Sequence, residues 1–435
     1  MNTTIYQQRR DALLAQMPLN SVALIPSAQE LTRSRDTEFP FRQDSDLTYL
    51  TGFPEPDSLL ILSKAQNGET RHLLLCRAKD ALAEVWQGRR FGPEAAKTRF
   101  GLDTACIDEL ETVLLDALNQ KQTLVYSEGT YAAFDSKVAE TLKTLRLYPK
   151  RGYLAPTVRQ DLRPLIARQR LLKDEAEQEL MRKAGSISAL GHCRAMRAAK
   201  AGLFEYQLEA EIVHEFAMHG ARRVGYNTIV GGGENGCILH YTDNNDLLKD
   251  GDLVLIDAGA EYQGYTGDIT RTFPVNGRFS TEQAALYQVV LNAQYAACAA
   301  VKPGNSMNDA VAAAQLELTK GLLELGILQG ELELLLQDNA CKQYFIHGLG
   351  HWLGLDVHDV GAYQLNGTAR PFEPGMVLTI EPGLYIPSGS ACDKKWWGLA
   401  VRIEDNLLVT ATGHDNLTEA VPKEIAQIEA LMAAR

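Results

Sequence analysis

Gly251-Asp-Leu-Val-Leu-Ile-Asp257 and Gly375-Met-Val-Leu-Thr-Ile-Glu381 each run from a glycine through an apolar, strand-like stretch to an acid. A second acid follows each one: Asp268 in Gly-Asp-Ile-Thr-Arg, and Glu404 in Val-Arg-Ile-Glu-Asp. Between the two copies lies a histidine cluster, His347, His351 and His358, in a glycine-rich stretch. Carboxylates at the ends of hydrophobic strands are costly to bury unless a cation meets them. A metal site shared by the two halves of a duplicated domain accounts for all of these residues at once.

The donor types narrow the metal. Asp257, Asp268, Glu381 and Glu404 offer hard oxygens, a histidine offers one borderline nitrogen, and no thiolate takes part. That set suits Mn²⁺, Co²⁺ or Zn²⁺ more than a soft ion, and a calcium site rarely needs imidazole. Four carboxylates carry a charge of about −4, which two divalent ions would neutralise and one would not. The competing account is that the acids stand in solvent at strand ends or pair with Arg271 and Arg402.

Other chemistries find no support. His347 and His351 have the i, i+4 spacing of a zincin pair, but no glutamate follows the first histidine and the glycines argue against a helix. Gly231-Gly-Gly-Glu-Asn-Gly236 lacks the lysine of a phosphate loop and reads as a tight, substrate-facing loop. No serine sits in a Gly-x-Ser-x-Gly elbow.

The elements that must hold these residues form the second of two expected domains, since 435 residues exceed what one core usually serves. Residues 1–173 read as an α/β domain, with strands at Ser21–Pro26, Ser58–Ser63 and His72–Cys76 and a helix from Ile107 to Leu118. Asp174 followed by Glu177 has capping-box spacing and opens the second domain, residues 174–435. There the chain reads as helices, strands, helices, strands. One amphipathic helix, Glu205 to His219, carries a stripe of Leu208, Ile212, Val213 and Phe216. A second begins at the Ser280–Gln283 capping box, and a third covers Ser306 to Gly326. Strands are expected at 252–257, 269–275, 376–381 and 400–409. This is an α+β domain built as a pseudo-repeat of about 124 residues, measured from Asp257 to Glu381.

Composition bounds the partners. At 45% hydrophobic and 23% charged the chain is an ordinary globular protein, and a net charge of −12 offers no footprint for nucleic acid. Seven scattered cysteines without a Cys-x-x-Cys pair suit reduced thiols. The first ten residues lack the apolar core of a signal peptide, and Gln283–Val301 reads as a buried helix rather than a membrane span. Cytoplasmic residence is the expectation.

These residues also resemble a known family. Asn235-Gly-Cys-Ile-Leu-His240-Tyr, Asp257-Ala-Gly, Asp268-Ile-Thr-Arg-Thr-Phe, His347-Gly-Leu-Gly-His351, Glu381-Pro-Gly-Leu-Tyr and Arg402-Ile-Glu404-Asp look like the pita-bread metallopeptidases. That superfamily includes methionine aminopeptidase, prolidase and creatinase. Thr32 to Phe53 and Glu84-Val-Trp86-Gln-Gly-Arg-Arg90 are similar to the amino-terminal domain of its aminopeptidase P branch, so the likeness covers nearly the whole chain.

The resemblance implies a creatinase-like α/β domain followed by a pseudo-twofold pita-bread catalytic domain that hydrolyses the first peptide bond of Xaa-Pro peptides. It implies two divalent ions per subunit, Mn²⁺ first, with Co²⁺ or Zn²⁺ accepted. Asp257 would chelate one ion, Asp268 and Glu404 would bridge both, and His351 and Glu381 would hold the other. A water between the ions would be the nucleophile, with Glu381 passing its proton to the leaving nitrogen. His358 would stabilise the oxyanion and His240 would bond near the scissile amide. His347, Tyr363 and Arg402 match positions lining the proline pocket, and Trp86 matches one that reaches a neighbouring subunit of a tetramer. The complete five-residue ligand pattern argues against the creatinase branch. The alternatives are a prolidase acting on Xaa-Pro dipeptides and a metal-free binding protein of the same fold.

Overall fold

A computed structural model describes residues 3–434. They fall into two compact units, Met1–Arg170 and Leu171–Arg435.

The first unit is built on one six-stranded sheet. Its strands are β1 (Ser21–Pro26), β2 (Leu59–Lys64), β3 (Thr70–Cys76), β4 (Asp103–Cys106), β5 (Thr123–Tyr126) and β6 (Val158–Gln160). They lie in the order β4-β3-β2-β1-β5-β6. The β1-β2-β3 meander is antiparallel, while β4, β5 and β6 join parallel to their neighbours. Central strands have both faces covered, so β1 reads as an unbroken apolar run that is buried until Pro26. Helices Leu110–Leu118 and Ala132–Leu147 place Leu114, Leu118, Val138 and Leu142 against one face. A three-residue 3₁₀ turn at Ile107–Glu109 precedes the first of them, where the sequence suggests one continuous helix. A short helix, Ala81–Gln87, buries none of its residues and leaves Leu82, Val85 and Trp86 exposed.

The second unit opens with α1 (Glu175–Ala198), whose Asp174–Glu177 capping box is formed in both directions. Then come α2 (Glu205–Met218), β7 (Ile229–Gly232), β8 (Leu253–Asp257) and β9 (Thr270–Pro274). The second half repeats the plan with α3 (Thr281–Ala300), α4 (Met307–Glu324), β10 (Val377–Ile380), β11 (Gly383–Ile386), β12 (Leu399–Arg402), β13 (Asp405–Val409) and β14 (His414–Asn416). Strands β7-β8-β9 form one antiparallel sheet and β10-β13-β14 another, with β11 and β12 paired beside them.

Alternation divides β8 between two cores. Val254 and Ile256 join the main core with Phe273, Leu286 and Leu378, while Leu255 turns to Ile229, Tyr385 and Ala400. Two expectations need correcting. Val213 does not share the buried stripe of α2 but is exposed, because the face in contact is set by Leu208, Ile212 and Phe216. The run 400–409 is two strands rather than one. Arg402 pairs with Gly383 and Asp405 pairs with Ile380, so the chain changes partner at Ile403–Glu404, and this break lets Glu404 leave the ladder. Among the described residues no helix is long and apolar enough to cross a membrane.

Candidate metal centre

Each half of the second unit ends an antiparallel strand pair in two acids. Asp257 is the last residue of β8 and pairs with Thr270, two residues after Asp268. Ile380 pairs with Asp405, and Glu381 and Glu404 flank that pair. The apolar strands must stop where carboxylates begin, and both pairs stop at the same place in space. Asp257, Asp268, Glu381 and Glu404 line one cavity of about 450 Å³ with His240, His347, His351, His358, Tyr226 and Arg402. Ligand atoms of Asp268, His351 and Glu404 lie within 4.8 Å of one another.

Cross-links between the halves fix this convergence. The Asn406 side chain accepts from the Asp268 backbone N–H at 2.9 Å and donates to the Asp268 carbonyl. The Thr270 hydroxyl donates to Glu404 Oε2 at 2.7 Å, and the Glu404 N–H donates to the Thr270 carbonyl. Arg271, wholly buried, donates to the Glu404 carbonyl at 2.6 Å and to Asp405 Oδ1 at 2.6 Å.

His351 reaches the acids from the glycine-rich loop. Its backbone N–H donates to Thr379 Oγ1. Its Nδ1 lies 3.0 Å from the Trp352 carbonyl, which can only accept, so Nδ1 carries the proton and Nε2 faces the carboxylates. Nε2 is 3.4 Å from Asp268 and 3.5 Å from Glu381. Gly350 lets the loop come this close, since a Cβ there would stand 2.0 Å from the Thr379 carbonyl oxygen.

The charges show what the cavity is built to hold. Burial pushes the Glu404 carboxyl well above its ordinary range, and Asp268, Glu381 and Asp257 push it further. Burial raises Glu381 to about 7, and it raises Asp268 as well. For His351, burial alone would lower the imidazole, but the bond to Asp268 and the charges of Asp268 and Glu381 together outweigh it and raise the group to about 9. The next residue along, Asp405, is the contrast. It is equally buried yet held well below the carboxylate range, because burial is outweighed by Arg271 and Lys423. Among the described residues no cationic side chain pairs with Glu404, and Arg402 bonds to Asp257 instead, at 2.7 Å. Four acids facing one guanidinium and one imidazole form a donor set that fits divalent cations. Of the two arginines that might have neutralised the acids, Arg402 meets only Asp257, and Arg271 meets Asp405, which is not one of the four.

Of the remaining expected residues, His347 stacks edge-on against Phe345 and lies 2.8 Å from the Tyr385 hydroxyl. Burial, and then Arg402, push it down to about 4, so it is neutral. His358 packs edge-on against His351 with ring centroids 4.3 Å apart. His240 lines the cavity from the loop after β7. Tyr363 is not among the lining residues. Its ring stacks on Trp352 and its hydroxyl accepts from the Trp352 N–H. Trp86 lies in the first unit, on the exposed helix Ala81–Gln87.

Reading the sequence missed Tyr226 and Tyr385. The Tyr226 hydroxyl lies within hydrogen-bond reach of both Asp257 and Asp268, which share its one proton, and burial followed by the acids pushes it well above its ordinary range, so it stays a donor. Tyr385 accepts from Arg402 Nη1 at 2.9 Å and so passes its own proton toward His347. Tyr385 could have been noticed as the last residue of Glu381-Pro-Gly-Leu-Tyr, whereas Tyr226 stands outside every motif.

Known proteins resemble this chain along its length. Residues 179–411 match metallopeptidase family M24, and residues 6–126 match the aminopeptidase P N-terminal domain. The chain is 47% identical over 430 residues to the Xaa-Pro aminopeptidase of Escherichia coli K12, covering 99% of this chain and 97% of that protein. It is 45% identical to the Xaa-Pro aminopeptidase of Haemophilus influenzae, covering 98% and 96%. Among solved structures, proline aminopeptidase P II from Yersinia pestis superposes with a TM-score of 0.98 at 49% identity over the full length of both chains. A zinc-substituted E. coli aminopeptidase P in complex with product matches equally well at 46% identity, covering 100% of this chain and 99% of that one.

Proposed function

The chain belongs to metallopeptidase family M24 and has the pita-bread fold, and from that premise we propose how its own residues act. It is a metal-dependent Xaa-Pro aminopeptidase, which releases the first residue of peptides with proline second. The observation that carries this reading is the cavity where acids from both halves meet His351 without enough protein cations to neutralise them.

Asp257, Asp268, His351, Glu381 and Glu404 would hold two divalent ions, with Mn²⁺ preferred by the oxygen-rich set and Co²⁺ or Zn²⁺ compatible with it. When bound, such ions supply Lewis acidity and lower the pKa of a coordinated water. Asp268 and Glu404 approach from opposite halves and suit the shared positions. Asp257 would serve one ion, and His351 with Glu381 the other. Arg402 and Tyr226 bond to Asp257 and fix the carboxylate oxygens that remain for a ligand. Glu381, beside the scissile bond, takes the proton of the attacking water and delivers it to the proline nitrogen. His358 donates to the developing oxyanion and His240 bonds near the scissile amide. His347 and the Arg402 guanidinium border the pocket for the proline ring, and Tyr363 supports it from outside the lining through Trp352.

The exposed Leu82, Val85 and Trp86 suit a contact with a neighbouring subunit in a tetramer, with Trp86 reaching that subunit's site. Trp86→Ala should then weaken turnover of longer peptides and leave metal content unchanged, and unaltered kinetics would remove Trp86 from the site. The seven free thiols suit a reducing, cytoplasmic compartment.

Initial rates on Xaa-Pro and Xaa-Pro-Yaa test the substrate assignment. Cleavage of the tripeptide to Xaa and Pro-Yaa is expected to dominate. A strong preference for the dipeptide would make the protein a prolidase.

A further inference from the structure

His240 enters the cavity from the segment between β7 and β8, yet among the described residues no hydrogen bond holds its imidazole. Its place is therefore set by the path of its backbone. That path converges on one side chain outside the cavity. Glu205, the first residue of α2, is wholly buried, and its carboxylate accepts four hydrogen bonds, all from this segment. Oε1 takes the Gly232 N–H at 2.7 Å and the Asn235 amide at 3.1 Å. Oε2 takes the Tyr241 hydroxyl at 2.8 Å and the Asp246 N–H at 2.9 Å. Two of these donors precede His240, one is its immediate neighbour and one follows it. The donors are neutral, so the carboxylate is satisfied by geometry rather than by an ion pair, and only an acceptor with two oxygens can take all four. Burial, and then Glu205 itself, push Tyr241 up to about 12, so it remains a donor at working pH.

We propose that Glu205 is a positioning residue of the reaction, its buried carboxylate holding the 232–246 loop so that His240 stands at the scissile amide. This rests on the assignment of His240 above, and the test distinguishes the failure of one from the failure of the other.

The test is a double-mutant cycle on Xaa-Pro-Yaa hydrolysis with Glu205→Gln, His240→Ala and the pair, with metal content and melting temperature measured alongside. A glutamine amide has one oxygen, so it can accept from the Tyr241 hydroxyl and the Asp246 N–H or from the Gly232 N–H and the Asn235 amide, but not from both pairs. Glu205→Gln should lower kcat by about 10- to 100-fold, with KM and metal content near the parent, since a misplacement of about 1 Å is worth that much. In the His240→Ala background the same change should alter kcat by less than about twofold. A full, multiplicative loss on top of His240→Ala would overturn the inference by showing that Glu205 acts elsewhere, and so would a parent-like kcat for Glu205→Gln. A parent-like kcat for His240→Ala alone would overturn the assignment of His240, and with it this inference. If Glu205→Gln does not fold, Tyr241→Phe removes one donor of the four. It should lose kcat several-fold in the parent and nothing in His240→Ala, and an unchanged or multiplicative effect overturns the proposal.

Discussion

Glu404 and Asp405 are neighbours, both buried, and differ in what neutralises them. Asp405 has Arg271 at 2.6 Å and Lys423 at 2.6 Å, whereas Glu404 has the Thr270 hydroxyl and other acids. Their substitutions should therefore fail in opposite ways. Asp405→Asn strands the buried Arg271 and the partly buried Lys423 and should cost about 3–5 kcal/mol of stability, read from urea unfolding. Glu404→Ala should leave the metal-free protein as stable as the parent or more so, yet lower metal content and reduce kcat by about 1,000-fold or more. Near-normal activity in Glu404→Ala would remove it from the shared ligand position. The acids were legible in the sequence because each breaks an apolar run, a local pattern with a local cost. Tyr226 and Glu205 were not. Each earns its place through partners 27 to 42 residues away, and a lone tyrosine or a helical glutamate looks the same whether or not it meets them.

At the level of elements, the site depends on how closely the glycine-rich loop and β10 approach. Gly350 lies against the Thr379 carbonyl, and Thr379 in turn receives the His351 N–H. Gly350→Ala should force the loop outward, cost about 1–3 kcal/mol through overpacking, and release metal by moving His351. Urea unfolding and metal analysis of that variant would check both effects, and parent-like values for each would show that the loop can yield. Helix starts at Asp174 and Ser280 were readable because a capping box is four residues long. The break at Ile403–Glu404 was not, because nothing local marks a strand that changes partner. It follows from β11 and β10 each claiming one half of 399–409.

At the scale of the whole molecule, two halves of one unit are tied across the site by Asn406, Thr270 and Arg271, and a bound cation would add a further tie. Anything that binds only the folded state stabilises it, by about 2.7 kcal/mol at a hundredfold excess over Kd. Chelation should accordingly lower the melting temperature of the second unit, and adding back Mn²⁺ should restore it in a concentration-dependent way. A melting curve indifferent to chelator would mean that the acids are balanced from within. The duplication itself was visible in the repeated phrase, but not the reason for it: neither half alone carries a site, since Asp257 and Asp268 come from one and His351, Glu381 and Glu404 from the other. Elemental analysis of the protein purified without added metal tests this most directly. The account requires two equivalents of divalent transition metal per chain, reduced by Glu404→Ala, whereas a parent chain that binds none, or no more than one even with Mn²⁺ in excess, would contradict it.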